Sequence, residues 1–300
     1  MLTREQERLN AVQRPEAYRE VLVESAGLPV ALSVWRGDPG LASVLFLPGT
    51  MTHPLFYEAF LDALNRAGHT VVGVHLPGHG KSPRPRAHHL TYDDLVRGAV
   101  DAFAWLRREQ PDTPAVVLGS SQGGVLALAV AAEPVGAAAV IAHNVLDPAL
   151  TDTLAITRAP RWLAPAYPQV RHLVGTLGRL APALPVPLGA YLDIDRVTRD
   201  PGIVDRLLTD PLGLRSYPLG LLAGILTADL PGPARCPVVV VAATGDRLFP
   251  LAYTKRVFAR IEAPSKDLLV LPVEHHLVFN EALDVSVPAV LRVVRALEAP

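Results

Sequence analysis

Cysteine occurs once in this 300-residue chain, at Cys236. One thiol excludes an internal disulfide and any multi-cysteine metal site, so Cys236 is expected to be a small apolar residue leading into a strand. Runs of lysine or arginine are also missing, and the formal net charge is -1. That balance argues against nucleic acid or an anionic membrane as the main partner and favours an uncharged substrate. Met1 to Asn10 carries charges of both signs and lacks the apolar core of a secretory signal, which predicts a cytoplasmic protein. The longest apolar region, Gly123 to Ala142, is broken by Glu133-Pro134 and Gly136, so it reads as helix, turn and strand, and no transmembrane segment is predicted. Asn, Gln and Met are scarce while Arg and Pro are frequent, a profile that thermal adaptation and GC-rich coding produce equally.

Half of the residues are hydrophobic, enough to bury a full core in one large domain or one domain with an insertion. Apolar runs rich in Val recur at Val30 to Trp35, Val44 to Leu47, Val71 to Leu76, Ala115 to Leu118, Ala137 to Ala142, Val238 to Ala242 and Leu268 to Leu271. Helical patterns separate most of them, among them Phe56 to Arg66, Asp93 to Arg108 and Tyr253 to Ile261. This alternation predicts an α/β fold with a mostly parallel sheet flanked by helices. It breaks from about Pro148 to Pro231, where prolines and short amphipathic pieces replace the strands. We read residues 148–231 as a helical cap inserted into a core made of 1–147 and 232–300. In an open α/β sheet, ligands bind beyond the carboxyl ends of the strands, where such an insertion would roof the site.

Gly119-Ser120-Ser121-Gln122-Gly123 lies between a buried-strand pattern and the Ala- and Leu-rich segment Gly124 to Ala132. Ser121 is therefore predicted at the tip of a strand-turn-helix, where small residues on both sides let strand and helix close up and hold the hydroxyl outward. A serine nucleophile needs a base and a group that orients the base. Asp246 follows the strand Val238 to Ala242 just past Gly245, and His275-His276 follow Leu268 to Leu271. Three such groups at strand ends, in the order Ser, Asp, His, outweigh the plainer readings of a turn-closing Asp and a loop His. Asp147 is the reserve acid.

On these residues the chain resembles the α/β-hydrolase superfamily, specifically its lysophospholipase and monoacylglycerol-lipase-like branch. His276-Leu277-Val278-Phe279-Asn280-Glu281 looks like that branch's His with Glu five positions later, which makes His276 the base and His275 the runner-up. Gly78-His79-Gly80-Lys81-Ser82 is similar to its Gly-His-Gly-x-Ser loop. Leu45-Phe46-Leu47-Pro48-Gly49-Thr50 falls where the family carries its oxyanion loop. The resemblance thus implies an oxyanion hole of the backbone N–H groups of Thr50 and Gln122, with Met51 as the alternative to Thr50. Pro48, Ser120 and His75 depart from residues usual in that branch without removing a catalytic group.

The implied activity is hydrolysis of a carboxylic ester through an acyl-enzyme on Ser121, with no metal and no cofactor. Trp162, Leu163, Tyr167, Leu173, Leu177, Leu180 and Leu184 would give the cap an apolar roof for a lipophilic acyl chain, or serve only as packing. Cofactor-free haloperoxidases, carbon-carbon bond hydrolases and hydroxynitrile lyases share the layout and form the alternative class. A non-catalytic binding protein would lack a triad member, and none is missing. Gly80-Lys81-Ser82 is no phosphate loop, because that motif's first glycine falls on His75. The adjacent pairs His88-His89 and His275-His276 do not have zinc-ligand spacing. His53 and His79 are read as structural groups near the mouth of the site.

Overall fold

A computed structural model describes residues 9–84 and 89–298; His88 and the first eight residues of the chain lie outside that description. Eight strands form one sheet in the order β1-β2-β4-β3-β5-β6-β9-β10. They are β1 (Tyr18–Ser25), β2 (Leu28–Trp35), β3 (Ser43–Leu47), β4 (Thr70–His75), β5 (Ala115–Ser120), β6 (Ala139–His143), β9 (Val238–Ala243) and β10 (Lys266–Leu271). From β4 to β10 every neighbouring pair is parallel, whereas β2 runs antiparallel to both β1 and β4. The seven expected strands are present, with Cys236 buried just ahead of β9.

β1 is the strand that a search for Val-rich runs passes over. Its partly buried Arg19, Val21 and Val23 alternate with exposed Glu20, Leu22 and Glu24, and the two outward charges suit an edge strand that must not recruit another chain. Ala26 and Gly27, at φ 49° and 80°, join it to β2 in a two-residue turn with both central residues left-handed, the turn whose twist matches paired strands.

The central strands β3, β4 and β5 are buried along their whole length, as parallel strands covered on both faces must be. The helix Gln122–Ala132 is buried along almost all of its length, which its near-absence of polar residues makes possible. Thr91 and Asp94 cap the helix Tyr92–Glu109 reciprocally. An aromatic cluster of Phe46, Tyr57, Phe60 and Phe279 connects β3 to the segment after β10, with Phe46 and Tyr57 4.8 Å and Phe60 and Phe279 4.5 Å apart.

Between β6 and β9 the chain runs mainly through helices: Tyr167–Leu180, Leu188–Tyr191, Ile194–Val197, Pro201–Thr209 and Leu219–Thr227. These helices are joined by one short ribbon. β7 (Pro185–Pro187) pairs antiparallel with β8 (Ser216–Pro218), placing Val186 opposite Tyr217. Prolines are tolerated here because a two-stranded ribbon is all edge.

Polar ties hold the insertion to the sheet. Thr198 donates to Glu281 at 2.9 Å, and Arg196 reaches the carbonyls of Arg247 and Leu248. Asp210 accepts from His53 Nε2 at 3.0 Å, from Asn10 and from the backbone of Leu212. Burial pushes the His53 imidazole down, and its Nδ1 has no partner among the described residues, which fits a neutral ring donating through Nε2. Burial disfavours the Asp210 carboxylate, but these donors more than offset it and hold the carboxyl at about 2.

Two predictions follow from this packing. A β-carbon added at Gly123 would stand 2.0 Å from the carbonyl oxygen of Leu47. Gly123→Ala should therefore cost at least about 2 kcal/mol of stability in denaturant titrations, since both contacting groups are backbone and cannot swing aside. The Asp210 carboxyl is lowered from an unfolded value near about 4, so its contribution is complete above that pH and lost as pH falls toward the folded value. The stability difference between wild type and Asp210→Asn should be largest at neutral pH and shrink between about pH 4 and about pH 2.

Candidate functional site

Ser121 sits between β5 and the helix Gln122–Ala132 with φ 54° and ψ −116°. An L-residue pays for such a backbone in strain, so its surroundings must over-determine it. Here the Ser121 N–H donates to the carbonyl of His143 at 2.8 Å, and the Ser121 carbonyl accepts from Gly124 at 2.8 Å. Gly119 and Gly123 are indispensable to the approach: a β-carbon on Gly119 would lie 1.9 Å from the Gly123 carbonyl oxygen. The Gly-x-Ser-x-Gly pattern therefore has the steric meaning read from the sequence.

Asp246 lies just past β9 and His276 just past β10, and His276 Nδ1 is 2.9 Å from Asp246 Oδ2. The carboxylate is met by four donors. Oδ1 accepts from the backbone N–H groups of Leu248 and Phe249, both at 2.8 Å, and Oδ2 accepts from His276 and from Asn144 Nδ2 at 2.6 Å. Burial works against the charge, but the His276 imidazole and these hydrogen bonds prevail and keep the carboxyl below its ordinary range. The Phe249 ring stacks on His276 with centroids 5.5 Å apart. Ser121, Gln122, Thr50 and His276 all line one pocket.

His275, the runner-up base, turns outward with its side chain 46% exposed and pairs with Glu281 at 3.4 Å. Asp147, the reserve acid, is buried and bound to Arg260 at 2.7 Å. Neither contacts the other members of the constellation among the described residues.

The two expected oxyanion donors differ from their alternative in what they already bind. Neither Thr50 N–H nor Gln122 N–H has a partner among the described residues, and Gln122 is the first residue of its helix, where N–H groups point outward to anions. Met51 N–H is engaged, donating to the Tyr217 hydroxyl at 2.8 Å. Of the two, only Thr50 N–H is left without a partner among the described residues.

Asn144 and His143 were not singled out in the sequence. Asn144 follows β6 at φ 54° and turns its amide under the sheet ends. One Nδ2 hydrogen goes to Asp246, and the other to His143 Nε2 at 2.8 Å. Burial drives the His143 imidazole down to about 3, so it is neutral and its Nδ1–H donates to Ser120 Oγ at 3.2 Å. Nothing in the local sequence marks Asn144, whose partners come together only in the fold.

The pocket is otherwise apolar. Val125, Leu146, Ile156, Leu188, Leu192 and Phe249 are among the side chains that wall it, many from the insertion. Tyr92 and Tyr191 border it with hydroxyl oxygens that have no partner among the described residues, and burial pushes the Tyr92 phenol up to about 12. Asp229 is the one acidic residue in the described lining, and its exposed carboxylate is held by Arg171 at 2.7 Å. Among the described residues no group of His, Cys, Asp and Glu is arranged to hold a metal ion, and no helix is long and apolar enough to cross a membrane.

Comparison with known proteins gives the arrangement a family. The chain is 28% identical over 270 residues to a monoacylglycerol lipase of Mycolicibacterium smegmatis, covering 85% of this chain and 88% of that one. It is 24% identical over 257 residues to the phospholipase YtpA of Bacillus subtilis, covering 82% and 92%. Among solved structures it is similar to a monoacylglycerol lipase of Paleococcus ferrophilus, with a TM-score of 0.69, 22% identity and coverage of 90% and 99%. A soluble variant of the Saccharomyces cerevisiae monoglyceride lipase gives a TM-score of 0.71 at 15% identity, covering 94% and 96%. Those two likenesses show the fold, an α/β-hydrolase with its mostly parallel sheet. The model of the serine aminopeptidase S33 family, Hydrolase_4, matches residues 39–282, and the chain belongs to that family.

Proposed function

We propose that this protein is a serine hydrolase of carboxylic esters with a lipophilic acyl group, working through an acyl-enzyme on Ser121. The observation that carries the reading is the meeting, at one apolar pocket, of a strained serine, a histidine bound to a buried carboxylate, and two backbone N–H groups without partners among the described residues. In this reading residues 148–231 form the cap, and 1–147 with 232–300 form the core.

Ser121 Oγ attacks the ester carbonyl carbon while His276 Nε2 takes its proton. Asp246 keeps the other ring nitrogen protonated and stabilises the imidazolium that forms. Thr50 N–H and Gln122 N–H receive the oxyanion, where charge develops in a dry site and preorganised donors count most. The proton passes to the departing alkoxide, leaving the acyl group on Ser121. Water then attacks that ester with His276 again as base, and the carboxylic acid departs.

The family's description also raises an aminopeptidase reading. A free α-amino group would need an unpaired acidic partner inside the pocket. Asp229 is already paired with Arg171 and faces solvent, so the lining supports an uncharged substrate over an N-terminal amine. The other reactions of this fold, such as carbon-carbon bond hydrolysis, find no specific support in the lining.

Labelling with a fluorophosphonate, together with assays on short- and long-chain p-nitrophenyl esters and on aminoacyl p-nitroanilides, tests the proposal. Wild type should label and favour esters, and Ser121→Ala should lose labelling and at least about 10³-fold in turnover. An unlabelled wild type without esterase activity overturns the reading; preference for the anilides replaces it with the peptidase. His276→Ala should fall as far as Ser121→Ala while His275→Ala stays within a few-fold of wild type. Asn144→Ala removes one hydrogen bond to the Asp246 carboxylate and should lower kcat about ten- to a hundredfold, the worth of a bond to a buried charge.

A further inference from the structure

The Tyr217 hydroxyl is fully buried and lies at the crossing of three segments distant in sequence. It accepts from Met51 N–H at 2.8 Å, lies 2.7 Å from His79 Nε2 and 3.0 Å from the side-chain amide of Gln122. The protons at this node can be counted. His79 Nδ1 is 2.8 Å from the carbonyl of Pro77, which only accepts, so Nδ1 carries the hydrogen. Burial pushes this imidazole down to about 4, so the ring is neutral and Nε2 is an acceptor. The phenol must then donate to His79 and accept from its other two neighbours. That requirement exchanges the two ends of the Gln122 amide, so that its NH₂ rather than its Oε1 faces Tyr217 at 3.0 Å.

The oxyanion turn is defined by two peptide planes. The plane joining Gly49 to Thr50 is fixed because the Gly49 carbonyl accepts from Thr52 N–H at 3.2 Å and Thr52 Oγ1 at 2.9 Å. A trans peptide points its N–H opposite its carbonyl, so Thr50 N–H is directed away from Thr52. The next plane, joining Thr50 to Met51, is held by Met51 N–H on Tyr217. Met51 itself stands at φ 60°, and its carbonyl accepts from Leu214 N–H at 3.0 Å. Both backbone polar groups of this strained residue are thus held by the short stretch 214–217, which belongs to the insertion rather than to the sheet.

We infer that Tyr217 is a positioning residue of the insertion that sets the oxyanion hole, fixing Thr50 through Met51 N–H and Gln122 through its side chain. The inference rests on the ester-hydrolase reading. It makes the roof over the pocket part of the catalytic geometry, so that the hole is complete only with residues 214–217 seated.

The test compares Tyr217→Phe with wild type on one p-nitrophenyl ester. It measures kcat, KM, thermal unfolding and the inhibition constant of a boronic acid, which forms a tetrahedral adduct whose oxygen occupies the hole. The expected result is a fall in kcat of about tenfold or more, below the loss of a whole oxyanion donor, with KM within about twofold and boronate affinity weakened in parallel. Unchanged kcat and boronate affinity, or a rise in KM alone, overturns the inference while leaving ester hydrolysis intact. A wild type without esterase activity removes the reading beneath it and the inference together. Should Tyr217→Phe fail to fold, His79→Gln and His79→Leu decide. Gln keeps an acceptor for the phenolic proton and should retain several-fold more kcat than Leu at equal KM; equal kcat in the two overturns the inference.

Discussion

The site depends on one backbone conformation, that of Ser121 at φ 54°, and on the absence of side chains that permits it. The chain leaves a buried strand, reverses and enters a buried helix within a few residues. The first turn of that helix must then pass within contact distance of the ends of β3 and β5. Gly123 faces the Leu47 carbonyl and Gly119 faces the Gly123 carbonyl, each too close for any β-carbon. The same closeness brings the start of the helix against Leu47 and Pro48, from which the turn to Thr50 continues β3. On the proposed reading, nucleophile and oxyanion donors are consequences of this single steric arrangement.

Burying polar groups in so apolar a pocket is costly unless each is answered, and the proton inventory shows how closely this is managed. Asp246 is answered by four donors. Asn144 spends its two amide hydrogens on Asp246 and His143, and neutral His143 passes the direction on to Ser120, the residue next to the nucleophile. A continuous path of oriented hydrogens thus runs from the carboxylate at the end of β9 to the elbow after β5. The network explains why Ser120 is accommodated beside Ser121: its hydroxyl has a buried partner in His143 on the neighbouring strand β6.

What the sequence made legible was governed by period and spacing. Seven strands announced themselves as apolar runs, and Ser121, Asp246 and His276 stood at strand ends where chemistry is usually found. β1 escaped because Arg19, Glu20 and Glu24 break up its apolar run, although the Ala26-Gly27 turn and the placing of Val21 and Val23 on one face were visible signs. Tyr217 and Asn144 were not legible for a different reason. Tyr217 meets Met51 across 166 positions, and Asn144 meets Asp246 across 102. No local pattern encodes such contacts; they exist only once the sheet order and the seating of the insertion are known.

That seating bears on how an apolar substrate and a polar transition state can share one cavity. Acyl binding asks only for area, which Val125, Leu146, Ile156 and their neighbours supply without directional demands. Stabilising an oxyanion asks for two N–H groups held in place before charge develops. Here the insertion meets both demands with adjoining residues. Leu188, Leu192 and Leu222 present apolar surface to the pocket, while Leu214 and Tyr217 bind both backbone groups of Met51. A roof that merely covered the pocket would leave the two backbone groups of Met51 without these partners. On the proposed reading, one hydrogen-bonded to the turn couples enclosure of the substrate to completion of the oxyanion hole.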